Sequence, residues 1–155
     1  CRCIGFVRWE PLMLNAVVDI GKTHIKLLVL GDGQQQACFT SKNAPQDGLY
    51  PQADTDGIWQ WLCTTLNTYP RTGEISALVV TTHGATAALV NHNAQDRNTA
   101  LVLPVVDYEF DGVEGCNDDY AGVRPDFSET LSPQLPAGLN LGRQLFWLQF
   151  LVVNN

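Results

Sequence analysis

Apolar and polar positions change rhythm several times along the 155-residue chain, and each rhythm predicts an element. LNAVVDI at 14–20 is a short apolar run ending at turn chemistry, Asp19 and Gly21, which suits a buried strand. HIKLLVL at 24–30 is a second strand rich in β-formers. GDG at 31–33 supplies a hairpin turn, and QQQACFTS at 34–41 reads as a third strand. The chain therefore opens as a three-stranded antiparallel meander. SKNAPQDGLYPQ at 41–52 is a loop rich in turn residues. Asp54, Thr55 and Asp56 then offer N-caps, and Ile58, Leu62, Leu66 and Tyr69 recur on one helical face until Pro70 stops it. ISALVVTT at 75–82 is almost continuously apolar, as expected of a strand buried on both faces. HGAT at 83–86 is a turn, AALVN at 87–91 resumes extended structure, and LVLPVV at 101–106 is a further strand that Pro104 places at an edge or an end. An irregular stretch runs to about residue 140, and LGRQLFWLQFL at 141–151 is helical, with Leu141, Leu145 and Leu148 on one face. The order predicts a mixed α/β fold.

Composition narrows the class. Apolar residues make up 45% of the chain and charged residues 16%, a globular balance. The net charge of -7 excludes nucleic-acid or anionic-membrane binding driven by overall charge. No apolar run is long enough to span a bilayer. Five cysteines, an odd number with no CxxC spacing, read as free thiols in a reducing cytoplasm. Trp9, Glu10 and Pro11 interrupt any secretory h-region, so a cytoplasmic location is expected. A clean strand begins directly after Met13, the only methionine, whereas residues 1–12 show no periodicity. The expectation is a non-native extension at 1–12 and an incomplete domain at 13–155, since FLVVNN ends without a cap or turn.

Three segments carry candidate chemistry. DIGKTHIK at 19–26 contains GKT, the last letters of the P-loop G-x-x-x-x-G-K-S/T. The first glycine of that motif would fall at Ala16, and strand residues fill the interval. A P-loop also opens a helix, and HIKLLVL prefers a strand. The alternative is a tight turn between two antiparallel strands. Gly21 would let backbone approach an anion, Lys22 and Thr23 would add a charge and a hydroxyl, and Asp19 could hold Mg²⁺ through water. By themselves these residues fit a phosphate-facing turn and an ordinary hairpin with a solvated lysine equally. In TTHGAT at 81–86, His83 follows a strand, where ligands bind in α/β sheets, although a histidine satisfied in the core is the plainer reading of the segment alone. In LPVVDYEFDG at 103–112, Asp107 sits just past a strand end, and half of the sixteen acidic residues fall between Asp107 and Glu129. Positions 107–118 miss a calcium loop, because Glu109 and Asp118 are the wrong lengths at their positions and a strand rather than a helix precedes them. A solvated acidic loop, or Asp107 alone bonding a polyol, remain.

Taken together, VVDIGKTHIKL, ISALVVTTHGA and LVLPVVDYE resemble, in order and spacing, the N-terminal part of the FGGY family of carbohydrate kinases. The first is similar to that family's opening hairpin, D-x-G-T/K-S/T-x-x-K/R. The second is similar to its strand followed by a His-Gly pair. The third stands where the family commonly has W-x-D-x-R. DYAGVRPDFSETLSPQLPAGLNLGRQLFWL is similar to the following loop and helix of a branch acting on deoxy or keto sugars. The likeness spans roughly residues 13–150.

The resemblance implies a ribonuclease H-like (actin-like ATPase) fold and ATP with Mg²⁺ as cofactors. It implies Asp19 organising Mg²⁺ through water, and Gly21, Lys22 and Thr23 facing the ATP phosphates, with Lys26 at the motif's closing basic position. His83, Gly84, Asp107 and Tyr108 would contact a small-molecule sugar. Tyr108 and Glu109 depart from W-x-D-x-R, so the resemblance does not define the sugar. The general base lies downstream of this chain in that family, so no catalytic residue is expected here and the chain alone should be silent. The full-length protein could pair as a homodimer, and neither a nucleic acid nor a membrane is an expected partner. The competing readings are another actin-like phosphotransferase, a sugar-sensing regulatory module and a non-functional gene remnant. Protein expressed from the native gene is expected to begin at Met13 on N-terminal sequencing; a product that starts upstream contradicts that expectation.

Overall fold

The computed structural model describes residues 13–96 and 99–154, so the extension expected at 1–12 lies outside the described residues. The chain forms two compact units, one of Cys1–Asn43 with Gly57–Thr82 and one of Ala44–Asp56 with His83–Asn155.

The first unit is built on a mixed four-stranded sheet. Strands β1 (Leu14–Ile20), β2 (His24–Gly31) and β3 (Gln34–Lys42) form the antiparallel meander, and β4 (Ile75–Thr82) adds to β1 in parallel, giving the order β3-β2-β1-β4. The β2–β3 turn has Asp32 at φ 50° and Gly33 at φ 72°. Two left-handed residues in succession match the twist of a two-residue hairpin loop, which is why Asp-Gly stands there. The strands alternate as the period of two demands. Leu14, Ala16, Val18, Ile25, Leu27 and Val29 are at most 2% exposed, while Asp19 and Lys26 belong to the opposite face. Helix α1 (Thr55–Thr68) lays Ile58, Trp61, Leu62 and Leu66 against the buried face. Thr72 closes its C-terminal end by donating from Oγ1 to the carbonyls of Tyr69 and Leu66. Tyr69 meets Phe39 of β3 edge-to-face, with centroids 5.8 Å apart.

Strand β4 departs from expectation. Its apolar run suggested burial on both faces, yet Leu78, Val79 and Val80 are 45–55% exposed. The reason is topological: among the described residues β4 is the outer strand of the sheet, hydrogen-bonded to β1 alone.

The second unit contains more helix and less strand than the pattern predicts. Residues 87–91 and 101–106 are not strands; they meet as a single bridge between Val90 and Leu101, and Val106 bridges Gln52. Pro104 removes a donor from the second run, and its carbonyl instead accepts from the Tyr50 hydroxyl at 2.6 Å. The stretch expected to be irregular holds 3₁₀ turns at Asp111–Cys116 and Ala137–Leu139, helix α2 (Asn117–Val123) and the single turn α3 (Phe127–Thr130). Asp126 caps α3 by accepting from the Ser128 amide at 2.8 Å.

Helix α4 (Leu141–Asn154) forms where expected, but with a different inner face. Leu141 and Leu145 are 36% and 40% exposed, whereas Arg143 and Gln144 are 2% and 0% exposed beside the buried Leu148. Leu148 packs with Tyr50, Val106 and Val113, and Trp147 meets both Tyr50 and Phe110 edge-to-face at 5.2 and 5.6 Å. No helix among the described residues is long and apolar enough to cross a membrane.

The contrast between β2 and β4 is measurable. In urea unfolding of the chain, Leu27→Ala should cost about 2–5 kcal/mol, the range for a truncated core leucine. Val79→Thr, at an exposed position, should change stability by no more than about 0.5 kcal/mol.

Candidate functional site

The structure places the sequence-predicted residues in two groups, one in each unit. The first is the β1–β2 turn. Its register sets Asp19 directly across from Lys26, which itself faces Thr40 of β3, so the carboxylate and the ammonium lie on one face of the sheet. Asp19 also stands level with Thr81 of β4. Gly21, Lys22 and Thr23 form the turn. The Gly21 amide donates to the His24 carbonyl at 3.0 Å and so tightens the turn. A Cβ at Gly21 would lie 3.0 Å from that same carbonyl, which explains the glycine by close packing. The Thr23 hydroxyl is within 3.0 Å of His24 Nδ1.

Asn43, which the sequence reading passed over as loop, holds the turn from below. Its Nδ2 donates to the Gly21 carbonyl at 2.7 Å and its amide donates to the Thr23 carbonyl at 2.9 Å. Both carbonyls thereby accept from the same residue. The arrangement presents a carboxylate, a lysine and a hydroxyl on a braced hairpin.

The second group follows β4 in the chain. His83 is half-buried, and its ring meets the Tyr108 ring at 4.5 Å with 67° between planes. Its Nδ1 is 3.0 Å from Thr86 Oγ1. The direction of this bond follows the ring's tautomer: with the proton on Nε2 the Thr86 hydroxyl donates to Nδ1, and with the proton on Nδ1 the ring donates to the hydroxyl. Gly84 is exposed, and a Cβ there would meet nothing within 4 Å. Asp107 is buried; its Oδ1 accepts from the Glu109 amide at 3.1 Å, and its backbone bonds both Pro51 and Phe110. Part of its carboxylate therefore shapes the turn that presents Tyr108.

Two polar residues of α4 that the sequence analysis did not single out hold the loop beside this group. Arg143 donates to Asn117 Oδ1 at 2.8 Å and to the carbonyls of Leu135 and Ala137. Gln144 donates from Nε2 to the Ala85 carbonyl at 2.7 Å and to the Gly138 carbonyl. Asn140 joins them, accepting from the Leu135 amide at 2.9 Å. Their only sequence signal is a polar pair interrupting an apolar helix.

Among the described residues no three His, Cys, Asp or Glu side chains gather as a metal cage. A lone carboxylate such as Asp19 suits Mg²⁺, which keeps most of its waters and takes further ligands from phosphates.

Comparison with known proteins sets this geometry in context. No protein-family model matches the chain, and no curated protein matches it in sequence. Among solved structures, a carbohydrate kinase from Novosphingobium aromaticivorans aligns with 94% of the chain at 29% identity and a TM-score of 0.76. A gluconate kinase from Lactobacillus acidophilus aligns with 88% at 14% identity and a TM-score of 0.61. A ligand-bound xylulose kinase from Lactobacillus acidophilus aligns with 88% at 13% identity and the same TM-score of 0.61. The chain spans only 28–30% of the length of these proteins. It therefore has the α/β fold of a segment of the carbohydrate kinases, and is similar to them over nearly all of its own length.

Proposed function

We propose that the chain is the N-terminal part of an ATP-dependent sugar kinase that transfers the γ-phosphate of ATP to a hydroxyl of a keto or deoxy sugar. The observation that carries this reading is the likeness to a carbohydrate kinase at 29% identity and a TM-score of 0.76. In this reading Gly21, Lys22 and Thr23 face the phosphates on the β1–β2 turn, and Lys26 adds positive charge. Asp19 holds Mg²⁺ through water, and the ion, when bound, neutralises phosphate charge. His83, Gly84, Asp107 and Tyr108 contact the sugar. The proton acceptor for the reacting hydroxyl belongs to a segment beyond this chain, so catalysis requires the complete protein.

Charge supports an uncharged sugar. Among the described residues of the second unit, Arg124 and Arg143 are the only Lys or Arg side chains, against a run of acids from Asp107 to Glu129. Arg143 is committed to carbonyls and Asn117, and Arg124 donates to the Ser132 carbonyl. An anionic sugar acid would enter a repulsive field. In the first unit Lys22 lies on the turn proposed for phosphate and Lys26 on β2 beside it, across from Asp19.

A coupled assay should detect sugar-dependent ADP release from the complete protein and none from these 155 residues. Lys22→Ala in the complete protein should lower kcat/KM by about 100-fold, the scale for losing one transition-state donor. Release of ADP by the isolated chain, or a complete protein without sugar-dependent ADP release, would overturn the proposal. In a thermal-shift series on the complete protein, neutral ketoses and deoxy sugars should raise Tm and aldonates should not. Stabilisation by aldonates alone would refute the charge argument.

A further inference from the structure

We propose that Gln144 is a positioning residue for the wall formed by His83 and Tyr108, acting on both rings through one carboxamide. The proposal rests on the reading that these rings face the sugar, and it extends that reading to a residue that touches neither ring's ligand side. Gln144 is 0% exposed, unusual for a glutamine on a helix otherwise inviting leucine at such a position. Its Nε2 donates to the Ala85 carbonyl, two residues past His83, and also to the Gly138 carbonyl. Gly138 in turn backs Tyr108: a Cβ added there would lie 2.9 Å from the Tyr108 carbonyl oxygen, 3.0 Å from its Cα and 3.2 Å from Gln144 Nε2. One side chain thus ties the turn carrying His83 to the turn packed behind Tyr108.

The Gly138 turn is itself held firmly. Ala137 has φ 48°, a left-handed conformation that a residue with a Cβ avoids. It is kept there by Glu114, whose Oε1 accepts from the Ala137 amide at 2.6 Å, and by Arg143, which donates to its carbonyl. Gln144 therefore draws the His83 turn against a fixed reference. Its Oε1 is buried and has no hydrogen-bond partner among the described residues. A carboxamide buried with its acceptor unpaired is retained for what its donor does, since a space-filling apolar side chain would avoid that penalty.

The test reads ring geometry in the 155-residue chain by NMR, independently of any sugar or turnover. A failure of the sugar reading is therefore distinguishable from a failure of this one. In Gln144→Met, which is close in volume but has no donor, the nuclear Overhauser contacts between the His83 and Tyr108 rings should be lost. The His83 Cε1–H resonance should move toward its value in an unstructured peptide, while the Leu27 and Val29 methyl resonances of the sheet stay in place. Retained ring contacts in Gln144→Met would show that the residue only fills space and would overturn the proposal. The unmodified chain gives a second reading that needs no variant. The Gln144 side-chain NH₂ protons should exchange with solvent far more slowly than those of the exposed Gln34, and exchange at the Gln34 rate would also overturn it.

Discussion

The register of β1 is the constraint on which the first unit depends. Leu14, Ala16 and Val18 are at most 1% exposed, and the alternation that buries them puts Asn15 and Asp19 on the other face. A slip of one residue would expose the three apolar side chains and drive the Asp19 carboxylate against α1, where desolvation would force it to neutralise or unfold the sheet. The same register sets Asp19 across from Lys26 and level with Thr81. Fold and candidate chemistry are therefore not separate achievements of the sequence. The pairing that makes the core also delivers a carboxylate and a lysine to the mouth of one hairpin, and Asn43 then braces the turn between them.

The second unit is organised differently, by capped carbonyls as much as by apolar burial. Tyr50, Val106, Val113 and Leu148 form its core, with Phe110 and Trp147 around them. Burial pushes the Tyr50 hydroxyl pKa up, so it stays a neutral donor to the Pro104 carbonyl. Around this core the loop before α4 has few regular hydrogen bonds of its own. Arg143, Gln144 and Asn140 supply donors to the carbonyls of Leu135, Ala137, Gly138 and Pro133. Buried donors matched to buried acceptors hold one loop conformation, which apolar contacts alone would leave loose.

The parts of the fold legible in the sequence were those governed by local rules. The meander, the Asp-Gly turn and α1 all follow from periodicity, positive φ and a stop at Pro70. The burial of β4 was misread because an apolar run reports what a strand is suited to, whereas its place at the sheet edge depends on order. The face of α4 marked by Leu141, Leu145 and Leu148 is not the inner one, because Arg143 and Gln144 are buried beside Leu148. Their burial follows from acceptors that no helical pattern contains. The same holds for the site. Asp19, Gly21 and His83 are marked by their turns, while Asn43 and Gln144 act on carbonyls 22 and 59 residues away in sequence. A donor whose acceptor is that remote leaves no local trace.

The proposed function implies a division of labour, with phosphate recognition on the β1–β2 turn and sugar recognition on the His83–Tyr108 wall. Amide chemical-shift mapping of the labelled chain, titrated separately with Mg·ATP and with a neutral ketose, tests it most directly. Mg·ATP is expected to perturb residues from Asp19 to Lys26, and the ketose residues around His83 and Tyr108. Perturbation of the His83–Tyr108 group by Mg·ATP, with the hairpin unaffected, would contradict it.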